Sequence, residues 1–427
     1  MMVKIFPSVI NGTITAPPSK SLSHRALIAA VLCKKITRIT NLSNCHDVLL
    51  TIRAIRKLGG KIQLKNNKAF VCQNNLLTQG KKPIKINCGN SGTTARIITA
   101  LAAICNKEVV IDGDHRLQER PMAPLISALK KMGAAIYELK TKNHLPLKIM
   151  PSTLRNRHLI VDINQSSQFV TALILISPLL ENNMQIKVLG NHSFLYINST
   201  LEILKLAGIK FFIKGQKILI KGGQIFKPFN YAIEGDYSAA SYFLIGALLT
   251  GGQITVKNLI KDSIQGDKYL LKILKKSGCK VTVNTNQVFL QSTKSVFGLT
   301  INMGNYPDLV PSLSILAIGS SKPILMKNIA HLVNKESNRI TAMSENLKII
   351  GLHTKITDSS LKILPGKIKD GLINSYNDHR LVMSFSIAAL SGHKEIIINH
   401  AESVKKSYPD FFTDLKKTGG KFRWINH

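Results

Sequence analysis

The stretch PSKSLSHRALIAAV, residues 18–31, decides the fold because the chain contains the same pattern six times. Each copy opens with a short polar cluster, continues into small and apolar residues, and leads to a β-branched stretch. Consecutive openings lie 70 to 76 residues apart, and a period of this length indicates repeated supersecondary units. The copies open at Pro18, Asn90, Ser166, Asp236, Tyr306 and Asn377, and their β-branched stretches begin at Ile36, Glu108, Met184, Gln253, Pro323 and Glu395.

Each unit also contains a second helix that ends at a glycine. Glycine suits the left-handed position just past a helix end, and a basic residue is favourable in the last turn. An alternating stretch follows each glycine and is typical of two strands joined by a turn. One unit therefore reads as helix, strand, helix, strand, strand. The glycines are Gly59, Gly133, Gly208, Gly278, Gly351 and Gly419.

The sixth unit is shorter than the others, because only 8 residues follow Gly419. The 17 residues before Pro18 supply a missing strand, so we expect the N-terminal strand to complete the last unit. The chain then passes between two mixed α/β domains twice, near Thr15–Pro18 and near Ile233–Asp236. The prediction is a first domain of residues 16–233 and a second of residues 1–15 and 234–427, with three units each. A length of 427 residues agrees, since one core rarely grows so large.

Composition indicates a globular protein of the cytoplasm. Hydrophobic residues make up 44% of the chain, which argues against disorder. The N-terminus has no secretory signal, and no run approaches the roughly 18 apolar residues of a membrane helix. The six cysteines show no zinc-ligand spacing and no disulfide framework.

The formal net charge of +35 resembles that of a nucleic-acid-binding protein, but its distribution argues against this class. Lysine is spread along the whole chain and accompanies abundant Ile and Asn, which favours a compositional bias. Arginine is scarce, with 12 residues, and a retained arginine suggests a need for its planar bidentate fork. Half of the arginines lie in the motifs considered below: Arg25, Arg96, Arg116, Arg120, Arg339 and Arg380.

Several polar helix openings carry groups that bind anions, because helix N-termini expose N–H groups and partial positive charge. In the first opening, Ser21 and Arg25 share a helix face. In the second, Gly92 allows a ligand close to the backbone. A single such opening is more often an ordinary cap, but the basic residues in several copies favour an anion site. The residues of the first three openings are Lys20, Ser21, Arg25, Asn90, Gly92, Thr93, Ser166, Ser167 and Gln168.

Further charged residues follow in the second half. Lys335 and Arg339 are expected on one helix face, a like-charge placement that is unfavourable without an anion. Asp308 lies at another helix start, where it either caps the helix or acts as a general base. Of two arginines in the first half, Arg116 fits a surface ion pair better than Arg120 does. The other charged groups are Glu336, Asp378, His379, Arg380, Lys405 and Lys406.

Together these motifs resemble the 5-enolpyruvylshikimate-3-phosphate synthase family over essentially the full length. The resemblance implies two similar α/β domains, each of three βαβαββ repeats forming an inside-out α/β barrel, with the active site in the interdomain cleft. It implies a monomer without metal or organic cofactor that transfers the enolpyruvyl group of phosphoenolpyruvate to the 5-hydroxyl of shikimate 3-phosphate. The motifs are PPSKSLSHRALI, GNSGTTAR, DGDHRLQERPM, SSQFVTALIL, EGDYSAASYFL, KESNR, YNDHR and SYPDFF.

The resemblance also implies roles for individual residues. Catalytic roles fall to Asp308, Glu336, Lys20, Lys406 and His379. Shikimate 3-phosphate would contact Lys20, Ser21, Arg25, Ser166, Ser167, Gln168, Ser193, Tyr196, Asp308 and Lys335. Phosphoenolpyruvate would contact Lys20, Asn90, Gly92, Thr93, Arg120, Gln168, Arg339, Arg380 and Lys406.

The sequence departs from the family pattern at three places. Asn338 stands where Asp is expected, which removes a carboxylate next to Arg339. His331 stands near a position where Asn is common, and Ile97 follows Arg96 where Pro occurs in some relatives. We interpret Asp308 as the base for the hydroxyl proton and Glu336 as the group for the methylene proton.

Three alternatives remain at this point. The sister family that transfers enolpyruvyl to UDP-N-acetylglucosamine has a Cys before Arg-Pro, where this chain reads GDHRLQERP, and prefers Lys-Asn over Lys-Ser. A family of the same topology that processes RNA ends needs a catalytic histidine, for which only His379 is well placed. A basic repeat protein that binds nucleic acid would interleave aromatic and basic residues, but aromatic residues are 6% and are not so placed.

Overall fold

The computed structural model describes residues 1–72, 76, 82–155, 157–293 and 296–425. The chain forms two compact units. The first, the central unit, is Lys20–Ile233, and the second, the terminal unit, is Met1–Ser19 together with Glu234–His427. The chain therefore leaves the terminal unit after Ser19 and returns to it at Glu234.

Twenty-four strands lie in the described parts of the chain. In chain order they are β1 (Met2–Phe6), β2 (Asn11–Thr15), β3 (Thr37–Thr40), β4 (Lys61–Lys65), β5 (Lys68–Cys72), β6 (Ile84–Asn87), β7 (Val109–Asp112), β8 (Ala135–Glu138), β9 (Leu147–Met150), β10 (His158–Asp162), β11 (Met184–Leu189), β12 (Phe211–Lys214), β13 (Lys217–Ile220), β14 (Asn230–Ala232), β15 (Gln253–Lys257), β16 (Lys280–Val283), β17 (Gln287–Gln291), β18 (Thr300–Asn302), β19 (Ile324–Lys327), β20 (Thr354–Thr357), β21 (Ser360–Ile363), β22 (Gly371–Ile373), β23 (Ile396–Ile398) and β24 (Lys421–Ile425).

Thirteen α-helices accompany them in the same described ranges. They are α1 (Lys20–Val31), α2 (His46–Leu58), α3 (Gly92–Ala103), α4 (His115–Glu119), α5 (Ala123–Met132), α6 (Gln168–Ile176), α7 (Leu195–Leu206), α8 (Tyr237–Thr250), α9 (Leu270–Lys276), α10 (Val310–Ser314), α11 (Arg339–Ile349), α12 (His379–Leu390) and α13 (Phe411–Lys417).

The strands form six open sheets of four strands each, and no sheet of the described residues closes on itself. In every sheet two parallel strands lie beside two antiparallel strands, as in the order β6-β7-β9-β8. The central unit has two further sheets, β14-β3-β5-β4 and β10-β11-β13-β12. The terminal unit has β16-β17-β15-β2, β18-β19-β21-β20 and β22-β23-β1-β24.

The N-terminal strand β1 pairs antiparallel with both β23 and β24. In this sheet it therefore takes the place that β9 takes in the sheet β6-β7-β9-β8. The strand β2 precedes α1 in sequence but pairs with β15, which follows α8. Conversely, β14 precedes α8 but pairs with β3, which follows α1. The strand before α1 therefore joins the sheet of the fourth repeat, and the strand before α8 joins the sheet of the first repeat.

The helices that start the repeats lie inside the units, and the sheets lie outside. In α1, α3, α6, α8 and α12 nearly every residue is buried, and a helix that is apolar all round belongs in the interior. The strands alternate, as β10 does, with one face buried and the other exposed. This arrangement places the polar N-termini of the buried helices next to one another within each unit.

The repeat pattern predicts the boundaries of these elements well. All six glycines that follow the second helices have φ between +72° and +107°, which confirms the left-handed position. Each strand predicted from a β-branched stretch begins within one residue of the predicted start.

The fifth opening differs, since residues Pro307–Leu309 and Ile315–Gly319 form 3-10 turns around the short α10. Pro311 explains the break, because proline has no N–H and its ring crowds the carbonyl four residues earlier.

None of the helices in the described part of the chain is long and apolar enough to cross a membrane.

Candidate active site

The first opening places a lysine and a carboxylate together in the central unit. Lys20, the first residue of α1, has its Nζ 3.1 Å from Oδ2 of Asp47 in α2. Both side chains are largely buried, with 15% and 5% exposed. Asp47 lies in the first turn of α2, where a carboxylate is favourable. The ammonium of Lys20 is therefore held at the start of two helices.

Arg25 lies one turn after Ser21 on the same face of α1 and is 2% exposed. Its guanidinium makes five hydrogen bonds to neutral oxygens: those of the Ser21 carbonyl and hydroxyl, the Thr200 and Thr171 hydroxyls, and the Tyr196 carbonyl. Among the described residues no carboxylate contacts it. Burial lowers the pKa of Arg25 to about 10, because a buried cation without a counter-ion is costly. The predicted face shared with Ser21 is confirmed.

Arg96 joins the second and third openings. Its Nη1 donates to Oε1 of Gln168 at 2.7 Å, and Nε2 of Gln168 donates to the Thr93 hydroxyl at 2.9 Å. The guanidinium also lies over the ring of Phe169, 5.1 Å from its centroid. The side chain of Gln168, the first residue of α6, is thus fixed against the start of α3.

Gly92, the first residue of α3, lies directly against two guanidiniums. A Cβ at this position would be 2.7 Å from Nη2 of Arg120 and 2.8 Å from Nη1 of Arg96. Arg120 is 5% exposed, and Asn90 lies in the turn before α3. Only glycine leaves the space that these arginines occupy.

The third opening contains two buried serines. Ser166 is 8% exposed and Ser167 is 3% exposed, and the Ser166 hydroxyl accepts a hydrogen bond from the Gln168 N–H at 3.3 Å. Ser193 is 4% exposed and has a left-handed φ of +58°, an uncommon conformation for a residue with a side chain. Its carbonyl accepts from the N–H of Tyr196 at 3.2 Å, which begins the turn into α7.

A buried polar chain, absent from the sequence predictions, links the starts of α1, α2 and α3. Nδ1 of His24 lies 2.7 Å from the Thr51 hydroxyl, which lies 2.7 Å from the Thr94 hydroxyl. The Thr94 hydroxyl lies 2.7 Å from that of Ser91 and 3.3 Å from the Asp47 carbonyl. Burial lowers the pKa of His24 to about 3, so the ring is neutral at physiological pH.

Capping side chains are seen at the starts of α3, α8 and α12. Ser91, Asp236 and Asp378 each accept a hydrogen bond from a backbone N–H in the first turn of the following helix. Capping, the ordinary explanation of a polar helix start, therefore applies to these three helices. At these three helix starts, the capped backbone N–H already donates a hydrogen bond to the capping side chain.

The terminal unit contains a second cluster, built around Arg339. Its guanidinium donates to Asp378 at 2.8 and 3.3 Å, to Glu336 at 2.7 Å and to Asp308 at 3.2 Å. Burial alone lowers the pKa of Arg339, but the carboxylates of Asp378, Glu336 and Asp308 raise it above its ordinary value. Arg339 is therefore neutralised within its own unit, whereas Arg25 is not.

Asp308 is the most exposed carboxylate of this cluster, with 27% of its side chain exposed. Its Oδ2 lies 2.7 Å from Nη2 of Arg380, and its carbonyl accepts from Nη1 of Arg380 at 3.1 Å. Lys406 lies beside it in the network, with Nζ 3.6 Å from Oε1 of Glu336. Two carboxylates and three cations of the predicted site are thus joined in one network of ion pairs.

The helical arrangement predicted for Lys335 and Arg339 is wrong. Lys335 has extended backbone angles, and α11 begins only at Arg339. The reason is Asn338, whose side chain accepts from the N–H of Thr341 and starts the helix anew. The like-charge argument for this pair therefore fails, and Asn338 serves as a cap.

Two histidines and two arginines complete the comparison with the predicted site. His379 is fully buried, with Nδ1 3.6 Å from Oδ1 of Asp378, and His331 is 2% exposed. Arg116 forms an exposed ion pair with Glu119 at 2.7 Å, which confirms the preferred interpretation of this residue. Arg120 is buried, which agrees with the view that a surface ion pair fits it less well than Arg116.

The sequence predictions assign no role to three residues with central contacts. Asp378 and Arg96 lie in the quoted motifs and are noted there for their charge, but neither is assigned to a substrate. Nothing in the sequence marks Asp47 as the partner of Lys20, because 27 residues separate them.

Comparison with known proteins gives a consistent result. A family model described as EPSP synthase (3-phosphoshikimate 1-carboxyvinyltransferase) matches residues 6–415. The chain is 34% identical to a 3-phosphoshikimate 1-carboxyvinyltransferase of Methanococcus maripaludis, with 100% of each chain covered. It is also 34% identical to that of Methanocaldococcus jannaschii, with 96% of each covered. A solved EPSP synthase from Acinetobacter baumannii superposes with a TM-score of 0.83 at 25% identity, covering 99% of this chain and 100% of the other.

Proposed function

The chain belongs to the EPSP synthase (3-phosphoshikimate 1-carboxyvinyltransferase) family and is an enzyme of the shikimate pathway, and we propose that the two clusters described above bind its substrates and activate them. The enzyme transfers the 1-carboxyvinyl group of phosphoenolpyruvate to the 5-hydroxyl of shikimate 3-phosphate and releases phosphate. Both substrates carry a phosphate and a carboxylate. A site for them needs several cations and helix N-termini close together.

The observation that carries the proposal is the uncompensated charge of Arg25. Among the described residues the Arg25 guanidinium is 2% exposed and bonds only to neutral oxygens, which is costly unless an anion completes its surroundings. We assign Arg25, with Lys20 and Ser21, to anionic groups of shikimate 3-phosphate. Ser166, Ser167, Gln168, Ser193 and Tyr196 of the central unit and Lys335 of the terminal unit complete its binding.

Phosphoenolpyruvate is assigned to the guanidiniums beside Gly92. The absence of a side chain at Gly92 brings Arg120 within contact of the start of α3, where backbone N–H groups favour anions. Gln168, fixed by Arg96 and Thr93, faces the same helix start. Lys20 and Asn90 complete this group in the central unit, and Arg339, Arg380 and Lys406 contribute from the terminal unit.

In the terminal unit, Asp308 is the proposed base. It forms ion pairs with both Arg339 and Arg380. An incoming substrate anion competes for these two guanidiniums and releases the carboxylate, which then accepts a proton from the 5-hydroxyl. Asp378 keeps Arg339 in place during this exchange, because it is fully buried and bonded at two points. His379, next to Asp378, belongs to this support.

The chemistry proceeds by addition and elimination. Glu336 supplies a proton to the methylene carbon of phosphoenolpyruvate, and the adjacent carbon becomes electrophilic. The hydroxyl oxygen bonds to that carbon while Asp308 takes its proton, which gives a tetrahedral intermediate that still bears phosphate. A methyl proton then returns to the enzyme, the carbon–oxygen bond to phosphate breaks, and the double bond forms again. Lys20 and Lys406 stabilise the departing phosphate.

The decisive experiment measures phosphate release from phosphoenolpyruvate with shikimate 3-phosphate as acceptor. We expect release with this acceptor and none with UDP-N-acetylglucosamine, the acceptor of the sister family. Release with the UDP-sugar alone would overturn the assignment. Steep salt-dependent binding to duplex RNA would instead support a nucleic-acid ligand.

Two further parts of the proposal concern the state of the protein. We place it in the cytoplasm as a monomer acting on small molecules. Cell fractionation and light scattering after size-exclusion chromatography test these two statements.

A further inference from the structure

A cavity of about 620 Å³ opens in the terminal unit beside α13 and β24. Its volume falls within the range of roughly 300–1,000 Å³ that is usual for small-molecule sites. None of the residues assigned to substrates above lines it, although Lys405 directly precedes Lys406. Its lining includes Glu402, Lys405, Phe412, Lys416, Phe422 and Trp424.

Three aromatic rings form one side of the cavity. The centroid of Phe412 lies 5.1 Å from that of Phe422 and 4.8 Å from that of Trp424. Phe412 is 7% exposed, whereas Trp424 remains 37% exposed. These rings contact one another at the angles that aromatic pairs prefer, and the indole still presents open surface to the cavity.

The other repeats show that this aromatic wall is not required by the fold. Counted from the left-handed glycine, the three rings occupy the positions seven before, three after and five after Gly419. No other repeat has more than one aromatic residue at these positions. The equivalents are Ile52, Ile62 and Leu64; Ile126, Ile136 and Glu138; Leu201, Phe211 and Ile213; Leu271, Val281 and Val283; and Ser344, Thr354 and Ile356.

The rim of the cavity is cationic. Lys405 and Lys416 are exposed, and within the described parts of the chain neither makes an ion pair or a side-chain hydrogen bond. Glu402, the carboxylate of the lining, is already paired with the N-terminal amine at 3.0 Å. The cavity therefore combines an aromatic wall with two ammonium groups that pair with no carboxylate of the described residues.

We propose that this cavity binds a small aromatic carboxylate. The ring of the ligand packs against Phe412 and Trp424, and its carboxylate lies between Lys405 and Lys416, as charge complementarity requires. The inference does not depend on the substrates assigned above, because the site shares no residue with theirs.

Trp424 is the single tryptophan of the chain and reports directly on the cavity. The test is a fluorescence titration of the full chain with 3-phenylpropionate, repeated with 3-phenylpropanol and 3-phenylpropylammonium. We expect a saturable change with the acid, with a dissociation constant of about 1 mM or tighter. Binding of the alcohol and the amine should be weaker by about fivefold or more. Calorimetry on the same samples detects binding that leaves the emission unchanged.

Two variants and a matched control sharpen the test. The double change Lys405→Gln and Lys416→Gln should weaken binding of the acid about fivefold. Lys275→Gln with Lys276→Gln, at the end of the equivalent helix α9, should leave it unchanged. Phe422→Val introduces the valine that the fourth repeat has at this position, Val281. It should abolish binding while the protein remains folded, which thermal unfolding verifies.

Absence of both an emission change and heat in the wild type would overturn the proposal. So would equal affinity for acid and alcohol, or equal weakening by the two lysine pairs. Phosphate release by the enzyme is measured separately, so failure of this site leaves the proposed function untouched.

Discussion

Arg339 and Asp378 form a buried two-point ion pair, with Nε 2.8 Å from Oδ2 and Nη2 3.3 Å from Oδ1. The same carboxylate accepts the N–H of Arg380 at 2.9 Å and so caps α12. One side chain therefore fixes both a guanidinium of the proposed site and the start of a buried helix. Replacing Asp378 by a neutral residue that can still cap α12 removes the ion pair with Arg339 but keeps the start of the helix.

Asp378→Asn retains a good capping group but leaves Arg339 with less compensating charge. We expect a loss of about 3 kcal/mol in the free energy of unfolding, since breaking a buried pair is costly. Urea denaturation measures it. Asp114→Asn, at the exposed cap of α4, is the control and should change stability by less than about 0.5 kcal/mol.

Arg25→Met tests whether the uncompensated cation binds substrate. We expect kcat/KM for shikimate 3-phosphate to fall about 100-fold, while the stability of the free protein changes little because a costly buried charge is removed. Shikimate 3-phosphate should raise the melting temperature of the wild type and of Arg116→Met, but not of Arg25→Met. Stabilisation of all three proteins alike would exclude Arg25 from the site.

Asp308→Asn removes the proposed base. We expect kcat to fall by about 10² to 10⁴, the usual contribution of a positioned base. Its partial exposure predicts only a small change in stability. The control is Asp358→Asn on the surface. If Asp308→Asn turns over at the wild-type rate, another group accepts the hydroxyl proton.

Gly92→Ala places a Cβ where the guanidiniums of Arg120 and Arg96 lie, so one of them must move. Displacement of a positioning group by about 1 Å predicts a 10- to 100-fold loss in kcat/KM for phosphoenolpyruvate. The KM for shikimate 3-phosphate should change less. Gly319→Ala is a control, because its Cβ would lie 3.3 Å from a methyl group of Leu249 and 3.7 Å from one of Val296, both at the ends of side chains.

His24 predicts a loss of stability in acid. Burial lowers its pKa to about 3 in the folded protein, from 6.5 for a solvent-exposed histidine. Between these values the unfolded chain binds a proton that the folded protein does not, so stability is full above pH 6.5 and falls towards pH 3. His24→Asn should reduce the difference in unfolding free energy between pH 7 and pH 4 by about 3 kcal/mol. An equal reduction in His115→Asn, at an exposed site, would contradict this origin.

Regular features of the repeats were predictable from sequence, because local chemistry determines them. The left-handed glycines and the strand starts follow from helix termination and β-branched composition. The exceptions also have local causes, namely Pro311 in the fifth opening and the cap Asn338 before Arg339. Pro311 interrupts a helix and Asn338 starts one. Each effect outweighs the helix that the spacing of the residues alone would predict.

Partners that lie far apart in sequence were not predictable. Glu336 lies only three residues before Arg339, but the other two carboxylates, Asp308 and Asp378, are 31 and 39 residues away, and only the fold brings them to Arg339. The chain from His24 through Thr51 to Thr94 depends on the packing of three helices. A single sequence contains the residue types for these contacts but not the pairing, which arises from the tertiary structure.

The pairing of β1 with β23 and β24 has a consequence for synthesis. The central unit is complete once residue 233 has been made, and it can fold while the rest of the chain is still being translated. The strand β1 must wait for partners about 390 residues later, or roughly 20 to 80 seconds at ~5–20 residues per second. During this interval a ribosome-bound intermediate has a folded middle and an unpaired N-terminal strand, which makes the nascent chain a ligand for chaperones.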